Sequence, residues 1–143
     1  MIHLEKVEKE NEEQLRFMYD MLKERDNTVT ISFEMPSWIQ HVFFVKKNEY
    51  QAWYIIKLND MMIGNIYLNT DNSFGYFIKK EYQNKGLGTM AVQELTRLHP
   101  REEYFAHINP DNERAIHQAK DKFKGKLVQI TYRMTGEDIR NPE

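Results

Sequence analysis

The chain of 143 residues contains no cysteine. This excludes disulfides, a thiol nucleophile and a cysteine-ligated zinc site. Three serines are present and none lies in a Gly-x-Ser-x-Gly pattern, which excludes a serine hydrolase of that type. The five histidines show no spacing typical of metal ligands, so we predict that the protein binds no metal.

Long apolar runs and an excess of positive charge are also lacking. No apolar stretch approaches the ~20 residues of a membrane-spanning helix, and the charged stretch 1–13 does not resemble a signal peptide. We therefore expect a cytoplasmic protein that does not bind membranes. The net charge of −2 offers no basic face for phosphate groups, so no nucleic-acid partner is expected.

The chain has the composition of a folded protein, since 41% of its residues are hydrophobic and 13% are aromatic. This length suits one hydrophobic core. We predict a single domain over residues 1–134 and a polar C-terminal tail over 135–143 that is loosely held.

Apolar periodicity predicts an alternation of strands and helices. The predicted strands cover 2–7, 51–58, 61–69, 74–78, 104–108 and 127–134, and the predicted helices cover 11–25, a segment opening at Pro36-Ser37, 87–99 and 111–122. Ser37 and Gln40 form a capping-box pattern, Asn59-Asp60 suits a tight hairpin turn, and Asn109-Pro110 suits a helix start. Residues 29–34 are expected to be a linker. This order gives an α/β (α+β) fold with a mixed, strongly twisted sheet and helices on both sides.

The most informative stretch is 74–90, FGYFIKKEYQNKGLGTM. It predicts a strand, a loop with two glycines and a helix, an arrangement that directs backbone N–H groups toward a phosphate or pyrophosphate. Gly86 and Gly88 let the main chain approach such an anion closely. The P-loop pattern fails because Thr89-Met90 follows Gly88, and the dinucleotide fingerprint fails because it needs three glycines.

Residues 83–88 have the pattern Gln-x-x-Gly-x-Gly, directly after a strand with the sequence Gly-Tyr-Phe-Ile. This resembles the acetyl-CoA-binding motif of the Gcn5-related N-acetyltransferase (GNAT) family. A second segment, 109–119, is similar to the family's Asn-x-x-Ser/Ala helix start, with Asn112 and Ala115 as the matching pair. The resemblance covers residues 45–134 well and the first two helices by topology only.

The resemblance implies an N-acetyltransferase that moves the acetyl group from acetyl-CoA to a primary amine by direct attack in a ternary complex. It also implies a sheet of six to seven strands with about four helices. The loop amides would hold the CoA pyrophosphate, the pantetheine would follow the fourth strand, and an N–H near Phe77 or Ile78 would bind the thioester oxygen. The implied cofactor-binding residues are Tyr76, Phe77, Ile78, Gln83, Asn84, Lys85, Gly86, Leu87, Gly88, Thr89 and Asn112. Lys79, Lys80 and Lys85 either meet the 3′-phosphate of CoA or form a solvated charged face.

His107 is the candidate general base. It lies five positions before Asn112, where some family members carry a glutamate. A histidine suits removal of a proton from an amine; the alternative is a hydrogen bond within the sheet. Other members have a glutamate directly before the Gly-Tyr strand, but Ser73 is close to that place here, and Asp71, the possible substitute, is more typical of a turn.

The general acid is unassigned. The family often has a tyrosine seven positions after the matching asparagine, but Ala119 stands there. Tyr132, Tyr82 or water are the alternatives. The same departure leaves open a degenerate module that binds or senses acyl-CoA without turnover. The acceptor is a small-molecule or peptide amine whose pocket involves residues 29–47 and the tail, and both a monomer and a homodimer remain open.

Overall fold

The computed structural model describes residues 1–25 and 34–142. Within these ranges it contains four strands, β1 (Ile2–Lys6), β2 (Ala52–Leu58), β3 (Met61–Leu68) and β4 (Phe74–Ile78). The five α-helices are α1 (Glu12–Glu24), α2 (Trp38–Lys47), α3 (Leu87–Leu98), α4 (Glu113–His117) and α5 (Gly136–Arg140). A 3₁₀ turn spans Lys80–Tyr82, and a π-helical turn, Gln118–Lys122, directly follows α4. Most of the predicted linker 29–34 lies outside the described residues.

The strands form one sheet in the order β1-β2-β3-β4, with every neighbouring pair antiparallel. The predicted β2–β3 hairpin is confirmed, because Leu58 pairs with Met61 across the two-residue turn. Asn59 in that turn has a φ of 56°, a left-handed conformation that asparagine tolerates. The register shifts between Ile56 and Lys57, where Ile63 of β3 is the extra residue of a bulge.

Each face of the sheet is covered by helices and has its own apolar cluster. On one face, Ile56 and Ile66 pack with Leu95 of α3. On the other, Ile55 and Trp53 pack with side chains of α1 and α2. Ile55 and Ile56 are adjacent in the chain and fully buried on opposite faces, as strand geometry requires.

Side-chain caps fix where the helices begin. Ser37 and Gln40 form the predicted capping box of α2. The last helical region differs from the prediction: Asn112 caps α4, and the Ala115 N–H donates to its Oδ1 at 3.1 Å. Asn109 instead accepts from the Asp111 N–H at 2.8 Å. This local turn competes with helix initiation and delays the helix start.

The prediction of a mixed sheet with six to seven strands is wrong for the described residues, which form an antiparallel sheet of four strands. Segment 104–108 is joined to the sheet only by a parallel bridge between Ser73 and Phe105. Segment 127–134 has no regular secondary structure and pairs with no described strand. The alternating apolar pattern specifies extended backbone without specifying a partner, which explains the error. The tail also contains α5, a fifth helix that was not predicted, capped by the Thr135 side chain.

Candidate active site

The glycine loop between β4 and α3 presents a row of unused backbone donors. Asn84 and Gly86 adopt left-handed conformations with φ of 63° and 77°, on either side of Lys85. None of the N–H groups of 84–89 donates a hydrogen bond to another residue in the described ranges, and the first helical donor is Met90, which bonds to the Gly86 carbonyl at 3.2 Å. These groups lie at the positive end of α3, so the loop is suited to bind an anion.

The two glycines of the loop are required for different reasons. At Gly88 an added Cβ would lie 2.6 Å from the Tyr76 hydroxyl and 2.7 Å from its ring carbon Cε1. At Gly86 a Cβ would meet no atom within 4 Å, so there the left-handed φ is what favours glycine. Gly88 therefore permits close packing against β4, and Gly86 permits the turn.

Side chains of the last helical region hold the loop in place. Arg114 Nη1 donates to Gln83 Oε1 at 2.6 Å, and Gln83 Nε2 donates to the Ile78 carbonyl at 2.7 Å. Gln118 Nε2 donates to Thr89 Oγ1 at 3.2 Å. The sequence analysis missed Arg114 and Gln118. They follow the Asn112 cap and are four residues apart, a spacing that places them on one face of a helix.

Burial raises the pKa of the Tyr76 hydroxyl, with an opposing contribution from the Gln118 hydrogen bond and the Arg114 charge. The phenol therefore stays neutral beside the loop. Of the three lysines considered for the cofactor phosphate, Lys79 is paired with Glu81 at 3.1 Å. Lys85 is exposed and forms no ion pair with a described residue, so its charge remains available beside the loop amides.

The N–H groups of Phe77 and Ile78, the two candidate donors to a thioester oxygen, point to opposite sides of β4. The Lys79 N–H bonds to the Ile63 carbonyl of β3, whereas the Phe74 N–H bonds to Phe105 on the other side. Since successive N–H groups of a strand point to opposite sides, that of Phe77 faces β3, and that of Ile78 faces the open edge. The N–H of Tyr76 faces the open edge as well. Of the two, only the Ile78 N–H is therefore open to a ligand.

The candidate base His107 lies beside Asp71, at the end of β4 remote from the glycine loop. His107 Nε2 is 3.3 Å from Asp71 Oδ2. Asp71 Oδ1 accepts from both the N–H (2.9 Å) and the hydroxyl (2.5 Å) of Ser73. The hydrogen bonds from Ser73, followed by that from His107, lower the pKa of Asp71 to about 2. Asp71 is thus a turn residue and also the partner of His107.

A cavity of about 430 Å³ opens next to this pair. Its walls combine aromatic rings with two carboxylates, and it is lined by Phe44, Glu49, Tyr50, Asn69, Thr70 and Asp71. Asp71 lines the cavity and also pairs with His107, which is not itself one of the lining residues. Phe44 belongs to the segment of α2 that the sequence placed near an acceptor.

The structure gives no support to either tyrosine considered as an acid. The Tyr82 hydroxyl contacts Met61 Sδ at 3.6 Å, and Tyr132 lies in segment 127–134 with 74% of its surface exposed. Among the described residues no group of three or more His, Cys, Asp or Glu is placed to hold a metal ion. No helix of the described ranges is both long and apolar enough to cross a membrane.

Solved acetyltransferases share this fold. The ribosomal L7/L12 alpha-N-protein acetyltransferase RimL in complex with CoA has a TM-score of 0.65 and 16% identity, over 83% of this chain and 77% of RimL. The spermidine/spermine N-acetyltransferase SpeG of Vibrio cholerae has a TM-score of 0.62 and 18% identity, over 85% and 78% of the two chains. The aminoglycoside acetyltransferase AAC(6')-Ib, also in complex with CoA, has a TM-score of 0.62 and 22% identity, over 82% and 80%.

Comparison of the sequence with curated proteins finds no match. The sequence profile of the Acetyltransferase (GNAT) family matches residues 6–122, which includes the glycine loop and α4. This match covers most of the chain, and the similar folds agree with it. The chain therefore belongs to the GNAT family of acetyltransferases.

Proposed function

We propose that the protein transfers the acetyl group of acetyl-CoA to a primary amine by direct attack in a ternary complex. Family membership supports the general reaction. The observation that carries the proposal for this chain is the row of unused backbone N–H groups at 84–89, which lies where a CoA pyrophosphate would bind. Gln83 and Thr89, each held by a side chain of the last helical region, keep this loop in shape.

The open edge of β4 would bind the pantetheine arm. Tyr76 and Ile78 direct their N–H groups to this edge, where amides of an extended ligand can pair with them. The arm is about as long as four residues of extended chain, and β4 has five residues between the glycine loop and the His107–Asp71 pair. The thioester would therefore lie toward the end of β4 at which His107 lies, and the Ile78 N–H, at the end next to the glycine loop, would bind an amide of the arm and not the thioester oxygen.

The proposed reaction needs one base and one positioning residue. A neutral amine attacks the thioester carbonyl, the C–N bond forms, the C–S bond breaks, and the thiolate takes a proton from water. His107 accepts the proton that the amine loses. Because Nε2 faces the ionised Asp71, Nδ1 is the nitrogen available as base, and Asp71 stabilises the resulting imidazolium.

The direct test is release of CoA thiol from acetyl-CoA in the presence of a panel of amines. Because the chain has no cysteine, every thiol detected in this assay comes from CoA and none from the protein. We expect turnover with at least one amine, and we expect Gly88→Asp to abolish binding of acetyl-CoA through charge repulsion and steric block. Unchanged affinity in Gly88→Asp would show that the cofactor binds elsewhere.

The pH dependence of the rate tests His107 separately. We expect kcat/KM to fall at acid pH, and His107→Gln to lower the rate by about 10²-fold or more and remove that fall. Asp71→Asn should also lower the rate, because the imidazole loses the carboxylate that holds its Nε2. A His107→Gln variant with a wild-type profile would refute the base assignment.

The alternative is a module that binds acyl-CoA without turnover. Ala119, which lies in the π-helical turn, motivates it, because it supplies no hydroxyl at the place where the family often has a tyrosine. Thermal stabilisation by acetyl-CoA together with no acetylation of any amine in the panel would favour this alternative over the enzyme.

A further inference from the structure

The side chain of Tyr67 in β3 lies across the neighbouring strand β4. Tyr67 pairs with Gly75 in the sheet, and both face the side that is covered by α1 and α2. A Cβ built on Gly75 would collide with the Tyr67 hydroxyl and lie 2.5 Å from the ring carbon Cζ. The hydroxyl end of the ring therefore occupies the space in which a side chain of β4 would otherwise lie.

The Tyr67 hydroxyl is a free donor. It has no hydrogen-bond partner among the described residues, and it is not completely enclosed by them. Burial raises the pKa of Tyr67, so the phenol keeps its proton. A largely buried tyrosine hydroxyl usually has a hydrogen-bond partner. A hydroxyl that is free, protonated and accessible is suited to bind an oxygen atom of a ligand.

The ring of Tyr50 holds this hydroxyl in position. Tyr50 and Tyr67 are stacked, with ring centroids 4.2 Å apart and an angle of 17° between the ring planes. Tyr50 also packs edge-on against Trp53 at a centroid distance of 4.8 Å, and it lines the cavity next to Asp71. Tyr67 thus contacts β4 at one side and the wall of the cavity at the other. Because the stack restricts rotation of the ring, the donor is preorganised.

The thioester of a bound acetyl-CoA would lie beside Gly75. In the proposed function, the N–H groups of Tyr76 and Ile78 pair with amides of the pantetheine arm, and the thioester lies beyond them, at the end of β4 remote from the glycine loop. The main chain offers no donor at this level, because the Phe74 N–H already donates to the Phe105 carbonyl at 3.0 Å. The Gly75 N–H points toward β3, since successive N–H groups of a strand alternate. A donor to the thioester oxygen must then come from a side chain.

We propose that the Tyr67 hydroxyl donates a hydrogen bond to the thioester oxygen of acetyl-CoA, which makes Tyr67 a catalytic residue. This inference rests on the proposed function. When the amine attacks, an electron pair of the C=O bond moves to the oxygen, and the hydrogen bond strengthens as negative charge develops there. When the C–S bond breaks, the C=O bond forms again. The phenol keeps its proton throughout, and water remains the proton source for the thiolate.

Infrared spectroscopy of bound acetyl-CoA, with an isotopic label at the thioester carbon, tests this hydrogen bond without turnover. We expect the C=O stretch to lie at a lower frequency in the wild type than in Tyr67→Phe, which keeps the ring and removes only the hydroxyl. The matched control is Tyr54→Phe on the opposite face of the sheet, where the Tyr54 hydroxyl lies 2.7 Å from His99 Nε2. It should give the wild-type frequency. Equal frequencies in the wild type and Tyr67→Phe would overturn the proposal, as would a failure of acetyl-CoA to bind.

Kinetics give the second test. Tyr67→Phe should lower kcat by about 10²-fold, the usual effect of removing one oxyanion donor. Its dissociation constant for acetyl-CoA should stay within about twofold of the wild-type value, because the hydrogen bond strengthens mainly in the transition state. The acid limb of the pH profile should remain, unlike in His107→Gln. A wild-type kcat in Tyr67→Phe would refute the catalytic role. If the wild type released no thiol with any amine, the proposed function would fail, and the infrared comparison would still decide whether Tyr67 binds the thioester oxygen.

Gly75→Ala displaces the hydroxyl without removing it. We expect a loss of kcat similar to that of Tyr67→Phe, with unchanged far-UV circular dichroism. In the Gly75→Ala background, Tyr67→Phe should lower kcat little further, because the added methyl group has already moved the hydroxyl away from β4. Fully additive losses would contradict the proposed position of the donor beside Gly75.

Discussion

The ring of Tyr76 fills the space into which any side chain at position 88 would project, since a Cβ on Gly88 would lie 2.6 Å from the Tyr76 hydroxyl. This contact sets the distance between β4 and the first turn of α3. It therefore positions the N–H groups of the glycine loop relative to the open edge of β4. The proposed cofactor would bind to the loop and to this edge.

Gly88→Ala should weaken acetyl-CoA binding by at least about tenfold, or 1.4 kcal/mol. The added methyl group must displace a mostly buried ring or push the first turn of α3 away from β4. Isothermal titration would measure the change. Gly86→Asn is the matched control, because asparagine tolerates a left-handed φ and a Cβ there meets no atom within 4 Å. Equal losses in the two variants would contradict the role given to the Tyr76 contact.

His41 makes the stability of the fold depend on pH. Its Nε2 lies 2.9 Å from the Leu15 carbonyl, and its ring packs against Tyr19 and Trp38 with centroid distances of 5.2 and 5.8 Å. Because a carbonyl only accepts, Nε2 carries the proton of a neutral ring. Burial lowers the pKa of His41 from 6.5, and the hydrogen bond to Leu15 opposes this in part.

The free energy of unfolding should therefore fall as the pH drops from about 7 to 5, because the unfolded chain takes up a proton at His41 at a higher pH than the folded protein does. Urea unfolding at several pH values would measure the slope, and His41→Gln should reduce it. Burial also lowers the pKa of His99, so a part of the slope should remain. His3→Gln, at an exposed site, is the control. An unchanged slope in His41→Gln would contradict the prediction.

Local signals predicted the elements up to the glycine loop well. The capping box at Ser37 and the turn at Asn59 depend only on neighbouring residues, and the structure contains both. The two segments at 104–108 and 127–134 were predicted as strands on the same kind of pattern, but strand pairing needs a partner edge that no local pattern specifies.

In the candidate site too, features that depend on neighbouring residues were predicted, and contacts between residues far apart in the sequence were missed. The glycine loop was predicted from a contiguous pattern, and the N–H groups of 84–89 form no hydrogen bond within the described residues. Asp71 was taken for a turn residue because nothing near it in sequence points to His107, which is 36 positions away. Arg114 was missed for a similar reason, since its contact with Gln83 joins residues 31 positions apart.

Arg114 offers a test of whether the last helical region supports the loop. Its guanidinium donates to Gln83 Oε1 at 2.6 Å, and Gln83 in turn donates to the Ile78 carbonyl. Arg114→Met keeps much of the side-chain volume and removes the charge-assisted hydrogen bond. We expect the dissociation constant for acetyl-CoA to rise by about fivefold, the effect of roughly 1 kcal/mol for one partly solvated hydrogen bond.

Loss of a positive charge alone would also weaken the binding of an anionic ligand, so the comparison needs a variant with the same charge change. Arg97→Met provides it at the other end of α3, where Glu94 on the same helix is the ion-pair partner of Arg97 among the described residues. It should leave the affinity unchanged. A further variant, Gln83→Leu, should weaken binding in the wild type but add little in the Arg114→Met background, because both changes break the same chain of hydrogen bonds. Fully additive effects would mean that Arg114 acts on the ligand by its charge and not by holding the loop.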